Sequence, residues 1–346
     1  MTLHADDLAA AGLVAPERLD EVRRVAAQFQ VALTENIAGL IDPADPADPI
    51  AAQFVPSEAE LAVADEERDD PIGDERWSPV PGIVHRYPDR VLLKPSLVCP
   101  VYCRFCFRRE QIGARGAVLG KAALDRAYAY IRERPEIWEV VVTGGDPLLL
   151  SPRRVASLVR RLAAIDHVQV IRFHTRVPIV DPSRIGAALV RALDAEKAVY
   201  VVLHANHPRE LTAAAKGAVR RLTRAGIPVL SQSVLLRGVN DDPDVLERLF
   251  RDLVAMRVKP YYLHHPDLAA GTARFRGSLG EGQALVRELR RRASGLCQPT
   301  YVLDIPGGYG KVPVGPTYAR RDGAGWSVED GAGTRHRYPP GRGDKA

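Results

Sequence analysis

From residue 91 onward, short runs of β-branched and other apolar residues alternate with longer segments in which apolar positions recur every three or four residues. The runs at 91–94, 140–143, 168–174, 198–204, 228–234 and 259–263 are near-continuously apolar, which predicts strands buried on both faces. Segments near 120–134, 151–165, 183–194, 208–225, 243–256 and 280–294 predict amphipathic helices between and after them. Gly226-Ile227-Pro228 supplies a helix stop followed by a strand start. Six such units predict an α/β fold, a partial (β/α)6 TIM-like barrel around a parallel sheet.

The polar residues keep step with this pattern. The first run leads to Cys99, Cys103 and Cys106, the second to Thr143-Gly144-Gly145-Asp146, the third to His174-Thr175-Arg176 and the fourth to His204-Ala205-Asn206-His207. The fifth carries Gln232, and the sixth runs into His264, His265 and Asp267. Parallel barrels gather their active sites at the C-terminal ends of the strands, so one shared site is expected there. Thr175 and Arg176 join it as candidate cofactor contacts.

The flanks differ in character. Residues 17–40 read as helical, and the stretch Asp42-Pro43-Ala44-Asp45-Pro46-Ala47-Asp48-Pro49 is expected to be irregular, because proline blocks helix and ladder alike. After Pro316 the chain is rich in Gly and Arg. Residues 326–328 and 334–338 are expected to pair as a hairpin across Asp330-Gly331, and the last eight residues to lack regular structure. Three regions follow: a helical and irregular extension over 1–75, expected to cap the barrel; the barrel over 76–296; and a C-terminal segment over 297–346.

An apolar fraction of 46% and a charged fraction of 26% are those of an ordinary soluble protein, and 346 residues suffice for a full core. No apolar run approaches the roughly 18 residues of a membrane span. The N-terminal MTLHADDLAAAG lacks the basic and apolar regions of a signal peptide, so a cytosolic location is expected. The net charge of +5 is mild and the basic residues are dispersed, unlike the concentrated basic face of a nucleic-acid binder.

In a reducing compartment, three cysteines within eight residues point to metal or catalysis. A zinc site would take three thiolates and a histidine, although zinc knots usually pair CxxC motifs and the chain has no second pair. Cys297 stands alone and reads as a small buried hydrophobe. The other reading is an iron–sulfur cluster of four irons, in which three thiolates leave one iron open to a substrate or cofactor.

Near the C-terminal end stands Asp304-Ile305-Pro306-Gly307-Gly308-Tyr309-Gly310-Lys311. It is not a phosphate-binding P-loop, because Ile305 occupies a position that needs glycine and Val312 follows the lysine. It reads either as a glycine turn with a surface lysine or as a lysine held on a close-packed loop and able to form a Schiff base. Asp267 and Asp304 read likewise as a helix cap and a turn former, or as two carboxylates of a site.

The spacing CxxxCxxC at Cys99, Cys103 and Cys106 resembles the signature of the radical S-adenosylmethionine (SAM) family. That resemblance implies a [4Fe-4S] cluster whose open iron is chelated by SAM, with Phe105 near the adenine. It also implies that Gly144, Gly145 and Asp146 receive the methionine amino group through carbonyls or the carboxylate. Taken together, Cys99–Arg109, Gly144–Leu148, Pro260–Leu268 and Asp304–Lys311 resemble the lysine 2,3-aminomutase family of pyridoxal phosphate (PLP)-dependent radical SAM enzymes, over residues 75 to 318. By that resemblance Lys311 carries PLP, and Arg108 pairs with the substrate carboxylate. Arg86, Arg90 and Gln232 lie near the PLP phosphate, and Asp267 with Asp304 receives the far ammonium of L-lysine. A reducing electron donor and a homo-oligomer are further implied partners.

Other family features are absent or mixed. Zinc-binding members carry a cysteine where this chain has Asp242, and a tail cluster of cysteines that this chain lacks, so no zinc is expected. Glutamate 2,3-aminomutases differ at the two aspartate positions, which leaves a glutamate or other amino-acid 2,3-aminomutase as the alternative. A non-catalytic iron–sulfur or zinc scaffold is the remaining reading. The Pro260–His264 stretch resembles the branch that modifies elongation factor P, whereas the Asp304–Lys311 loop resembles the branch of lysine metabolism.

Overall fold

The computed structural model describes residues 2–113 and 118–340. Its centre is a nine-stranded sheet. In chain order the strands are β1 (Ile83–Tyr87), β2 (Arg90–Ser96), β3 (Glu139–Gly144), β4 (Val170–Thr175), β5 (Ala198–His204), β6 (Val229–Val234), β7 (Val258–His264), β8 (Thr300–Ile305) and β9 (Gly310–Pro313). Strand neighbours follow sequence order throughout. β2 to β8 are parallel, and β1 and β9 lie antiparallel at the two edges. The six expected parallel strands are present, and β8 adds a seventh that the sequence reading had placed in the C-terminal segment.

Helices α1 (Lys121–Arg132), α2 (Pro152–Ala163), α3 (Ala187–Ala192), α4 (Ala213–Arg224), α5 (Pro243–Ala255) and α6 (Leu279–Arg292) occupy the expected intervals. Local chemistry fixes their starts. Ser151 and Asp242 accept from backbone N–H groups of the first turn, each followed by proline at the first helical position. Ser278 and Glu281 form a capping box on α6. Asp242 is thus a helix cap here. Val140, Val141 and Val142 on β3 and Val201, Val202 and Leu203 on β5 are all buried, as a sheet covered on both faces requires.

The N-terminal expectation needs correcting. Helix covers Leu19–Gln28 and then stops. Leu33–Thr34 pairs with Thr2–Leu3 instead, followed by a short helix Glu35–Ala38. The apolar run at 31–33 is buried in extended form, and tertiary packing overrides the helical pattern there. The proline repeat is irregular up to Asp48, whose carboxylate then caps Pro49–Phe54 by accepting from Ile50 and Ala51 N–H at 2.8 and 2.7 Å. In the tail, the expected hairpin forms between Gly325–Glu329 and Arg335–Tyr338, with Ala319–Asp322 as a third strand. Of the last eight residues, 341–346 lie outside the described residues. No described helix is long and apolar enough to cross a membrane.

Candidate active site

The loop after β2 carries the three cysteines, and the N-terminal extension holds that loop in place. Tyr102 N–H donates to the Ala32 carbonyl at 3.0 Å and Arg104 N–H to that of Gln53 at 2.8 Å. The Arg104 side chain is buried and donates to Glu60 and to the Gln30 carbonyl. Glu60 is itself fully buried and also pairs with Arg109 and, at 3.5 Å, with Arg274. Burial alone would raise the Glu60 carboxyl, but the charges of these arginines outweigh it and hold it below the usual range. The extension grips the cysteine loop through this buried cluster.

Cys99, Cys103 and Cys106 line one cavity with Phe29, Tyr102 and Ile112. Burial, then the neighbouring Asp146 and the other two sulfurs, holds the Cys99 thiol well above its ordinary range. Burial and Cys103 push Cys106 up to about 11. Two buried thiols held high beside a third sulfur form an arrangement that bound iron would relieve. Arg176 Nη1 donates to Cys103 Sγ at 2.9 Å, while its Nη2 donates to Gln53 and Glu210, both at 2.7 Å. Arg176 thus sits against the thiol loop and anchors it to the barrel.

The glycine turn after β3 packs against the backbone that leads into the cysteines. Gly144 has a φ of +111°, and a Cβ there would come within 2.6 Å of the Ser96 carbonyl oxygen; at Gly145 it would come within 2.3 Å of the Val98 oxygen. These glycines let the turn pack directly on the backbone leading into the cysteines. The Asp146 carboxylate is taken up internally. Oδ1 accepts from Thr175 Oγ1 at 2.7 Å and Leu148 N–H at 3.0 Å, and Oδ2 accepts from Arg176 and Val177 N–H at 2.6 and 3.1 Å. The side chains of Asp146 and Thr175 tie β3 to β4. Of the two acceptors considered for an ammonium, only the turn's carbonyls remain.

Phe105 stacks on His204 with ring centroids 5.7 Å apart and meets Phe275 edge-on at 6.1 Å. Burial holds His174, His204 and His264 well below the usual imidazole range, so all three are neutral. The ring nitrogens His174 Nε2 and His204 Nε2 are buried without a hydrogen-bond partner among the described residues. These two nitrogens are open to a polar partner such as water or a bound group.

A second group of charges assembles where the two edges of the sheet approach. Lys311 on β9 pairs through Nζ with Asp304, its cross-strand neighbour on β8. Its backbone N–H donates to the Tyr87 hydroxyl on β1 at 2.7 Å. Arg86 on β1 lies 3.5 Å from Asp304 and donates to the Ile72 carbonyl at 2.6 Å and to Asp74 at 3.1 Å. Arg108 donates to Asp74 from Nε at 3.0 Å and Nη2 at 2.9 Å, and Lys94 lies 3.7 Å from the same oxygen. Asp267 completes the group. Burial and then the Asp304 charge push its carboxyl up to about 7, against the opposing pull of Lys311, Arg108 and Arg86. Among the described residues, no donor reaches that carboxylate.

Lys311, Asp304, Asp267, Arg108 and Arg86 are thus brought together as expected. Gln232 lies half-buried on β6, in register with His204. Arg90 stacks on Tyr87 at 3.8 Å and bonds Asp89, and among the described residues it makes no contact with Lys311 or Asp304. Asp74, Lys94 and Tyr87 were missed. Asp74 sits at the end of an acidic run in the extension, and the expected boundary at 75/76 cuts through the segment carrying it. That segment is pinned to the lysine loop: Arg76 and Trp77 donate to the Gly307 and Gly308 carbonyls, both at 3.0 Å.

The comparisons with known proteins agree with this geometry. The model of the Radical SAM superfamily matches residues 93–249. The L-lysine 2,3-aminomutase of Acetoanaerobium sticklandii is 43% identical over 303 residues, covering 88% of this chain and 73% of that protein. The chain belongs to the lysine 2,3-aminomutase family. A putative L-lysine 2,3-aminomutase of Aquifex aeolicus is 41% identical, covering 88% and 83% of the two chains. The glutamate 2,3-aminomutase of Clostridioides difficile is 38% identical, covering 86% and 70%. As a lysine 2,3-aminomutase family member the chain is an isomerase that uses a [4Fe-4S] cluster, SAM and PLP. The thiol cavity, the orphaned lumen nitrogens and the lysine among cations fit those groups.

Proposed function

We propose that this enzyme moves the α-amino group of L-lysine to C3, giving β-lysine. The observation that carries the substrate assignment is the pair Asp267 and Asp304 beside Lys311. Two carboxylates in a half-buried site satisfy the charge and the donors of a far ammonium, and repel a far carboxylate. When bound, the cluster with SAM would supply the hydrogen-abstracting chemistry and PLP the carbonyl chemistry for moving an amino group.

The chain's own residues hold and orient. Cys99, Cys103 and Cys106 hold iron, and Arg176 supports their loop. We assign Lys311 as the amine that holds PLP and Arg86 as a contact to its phosphate. Arg108 offers a planar guanidinium to the α-carboxylate. Asp304 accepts from Lys311 in the resting site and is free for the substrate's far ammonium once that nitrogen is engaged elsewhere. Phe105, the neutral histidines and the capping extension keep the lumen dry around a reactive radical. An external electron donor completes the system.

The test is anaerobic: reconstitute cluster and PLP, reduce, add SAM with L-lysine or L-glutamate, and separate the amino acids by chromatography. β-Lysine from lysine alone is expected. A β-amino acid from glutamate, or 5′-deoxyadenosine without any β-amino acid, would overturn the substrate assignment. Lys311→Ala is expected to lose turnover and the visible PLP band while keeping the cluster absorbance.

A further inference from the structure

We propose that Asp74 is the positioning residue of the α-carboxylate subsite, aiming Arg108 by occupying one edge of its guanidinium and leaving the other edge open. The proposal rests on the reading of Arg108 as the substrate-carboxylate ligand and goes beyond it. A guanidinium has five N–H donors arranged as two forks, one side-on through Nε and Nη2 and one end-on through Nη1 and Nη2. Asp74 Oδ2 takes the side-on fork, from Nε at 3.0 Å and Nη2 at 2.9 Å. The end-on fork remains for a second carboxylate.

Asp74 is built for this task. It is 1% exposed, so its geometry is set by packing and not by solvent. Its own N–H donates to Asp70 at 2.9 Å, and its carbonyl accepts from Ser78 Oγ at 2.8 Å. Gly73 before it has a φ of +64°, and a Cβ there would come within 2.8 Å of the Gly307 and Gly308 backbone. The segment is therefore seated against the loop that leads to Lys311. The same carboxylate receives Arg86 on Oδ1 at 3.1 Å and lies 3.7 Å from Lys94 through Oδ2. One buried anion thus orders three cations from β1, β2 and the cysteine loop. Burial would raise its carboxyl, but Arg108, Lys94 and Arg86 outweigh that and keep it ionised. Without it, the three cations repel one another and Arg108 has no fixed direction.

The experiment compares two ligands that differ only at the carboxylate: L-lysine and 1,5-diaminopentane. Unreduced holoenzyme, which cannot turn over, is titrated with each by calorimetry, for the wild type, Asp74→Asn, Asp74→Glu and Arg108→Lys. The wild type is expected to prefer L-lysine. Asp74→Asn is expected to lose on the order of tenfold of that preference, the worth of a charged hydrogen-bonded contact. Its diaminopentane affinity is expected to stay near the wild-type value, while its thermal midpoint falls because three buried cations lose their counter-charge. In turnover the loss is expected in KM more than in kcat. Asp74→Glu, which keeps the charge one methylene away, is expected to recover part of the preference, and it decides the matter if Asp74→Asn does not fold. Equal weakening of both ligands in either Asp74 variant, or a wild-type preference in Asp74→Asn, would overturn the proposal while Arg108→Lys still loses its preference. A wild type with no preference for L-lysine would overturn the Arg108 reading, and the proposal with it.

Discussion

Lysine binding is expected to be linked to the loss of a proton from Asp267. In the free site this carboxyl is pushed up to about 7 by burial and by the Asp304 charge. Below that pH it is mostly neutral and offers the far ammonium only a dipole. Above it, the carboxylate offers a full charge. A bound ammonium favours the ionised form, so binding expels the proton and tightens as pH rises. If only the ionised form accepts the ammonium, the apparent Kd falls about tenfold between pH 6 and pH 8, and about half a proton is released per lysine bound near pH 7. Calorimetric titration of the unreduced holoenzyme in two buffers of different ionisation enthalpy reads both quantities. Asp267→Asn, which has no proton to lose, is expected to bind weakly with a flat profile over this range. A flat wild-type profile, or an equal slope in the Asn variant, would refute the reasoning.

Other perturbations have equally definite outcomes. Glu60→Gln leaves the buried guanidinium of Arg104 and that of Arg109 without their counter-charge and is expected to cost about 3–5 kcal/mol, read as a lowered urea midpoint. Because the Glu60 carboxyl lies below its usual range, its stabilisation is present above the unfolded-state value and is lost as pH falls through the folded one, so an acid titration of Glu60→Gln should be the flatter. Gly145→Ala puts a methyl group within 2.3 Å of the Val98 oxygen. It is expected to displace the cysteine loop and lower the iron content after reconstitution, with little effect on far-ultraviolet circular dichroism. Tyr87→Phe removes the acceptor of the Lys311 N–H and is expected to weaken PLP retention several-fold, measured by the visible band after gel filtration.

The barrel was legible because near-continuous apolar runs and amphipathic intervals are local properties, and β3 to β7 fall where they predict. The thiol loop was legible for the same reason: all three cysteines lie within eight residues. Asp146 illustrates the opposite case. A buried carboxylate after a glycine turn serves a ligand or a neighbouring strand equally well by sequence, and only the backbone of residues 176 and 177 decides for the strand. Asp74 was hidden because its partners Arg86, Arg108 and Lys94 come from other segments, and nothing in an acidic, proline-bearing stretch distinguishes one aspartate from the next. β8 was overlooked because it was read through its reactive end, as part of a lysine loop, although Thr300–Ile305 continues the parallel ladder on β7.

The seam between β1 and β9 has a consequence for how the enzyme comes into being. Across it the sheet has no backbone ladder; Tyr87 reaches Lys311 and Arg86 reaches Asp304 through side chains, over a separation of 224 residues in the first case. Contacts so distant in sequence form late, after the intervening chain has folded. During synthesis the thiol loop and its glycine turn emerge well before residues 304 to 311, so the half of the pocket that handles the amino acid is finished last. A chain stopped short of this region therefore lacks β9 and the partners that Tyr87 and Arg86 meet across the seam.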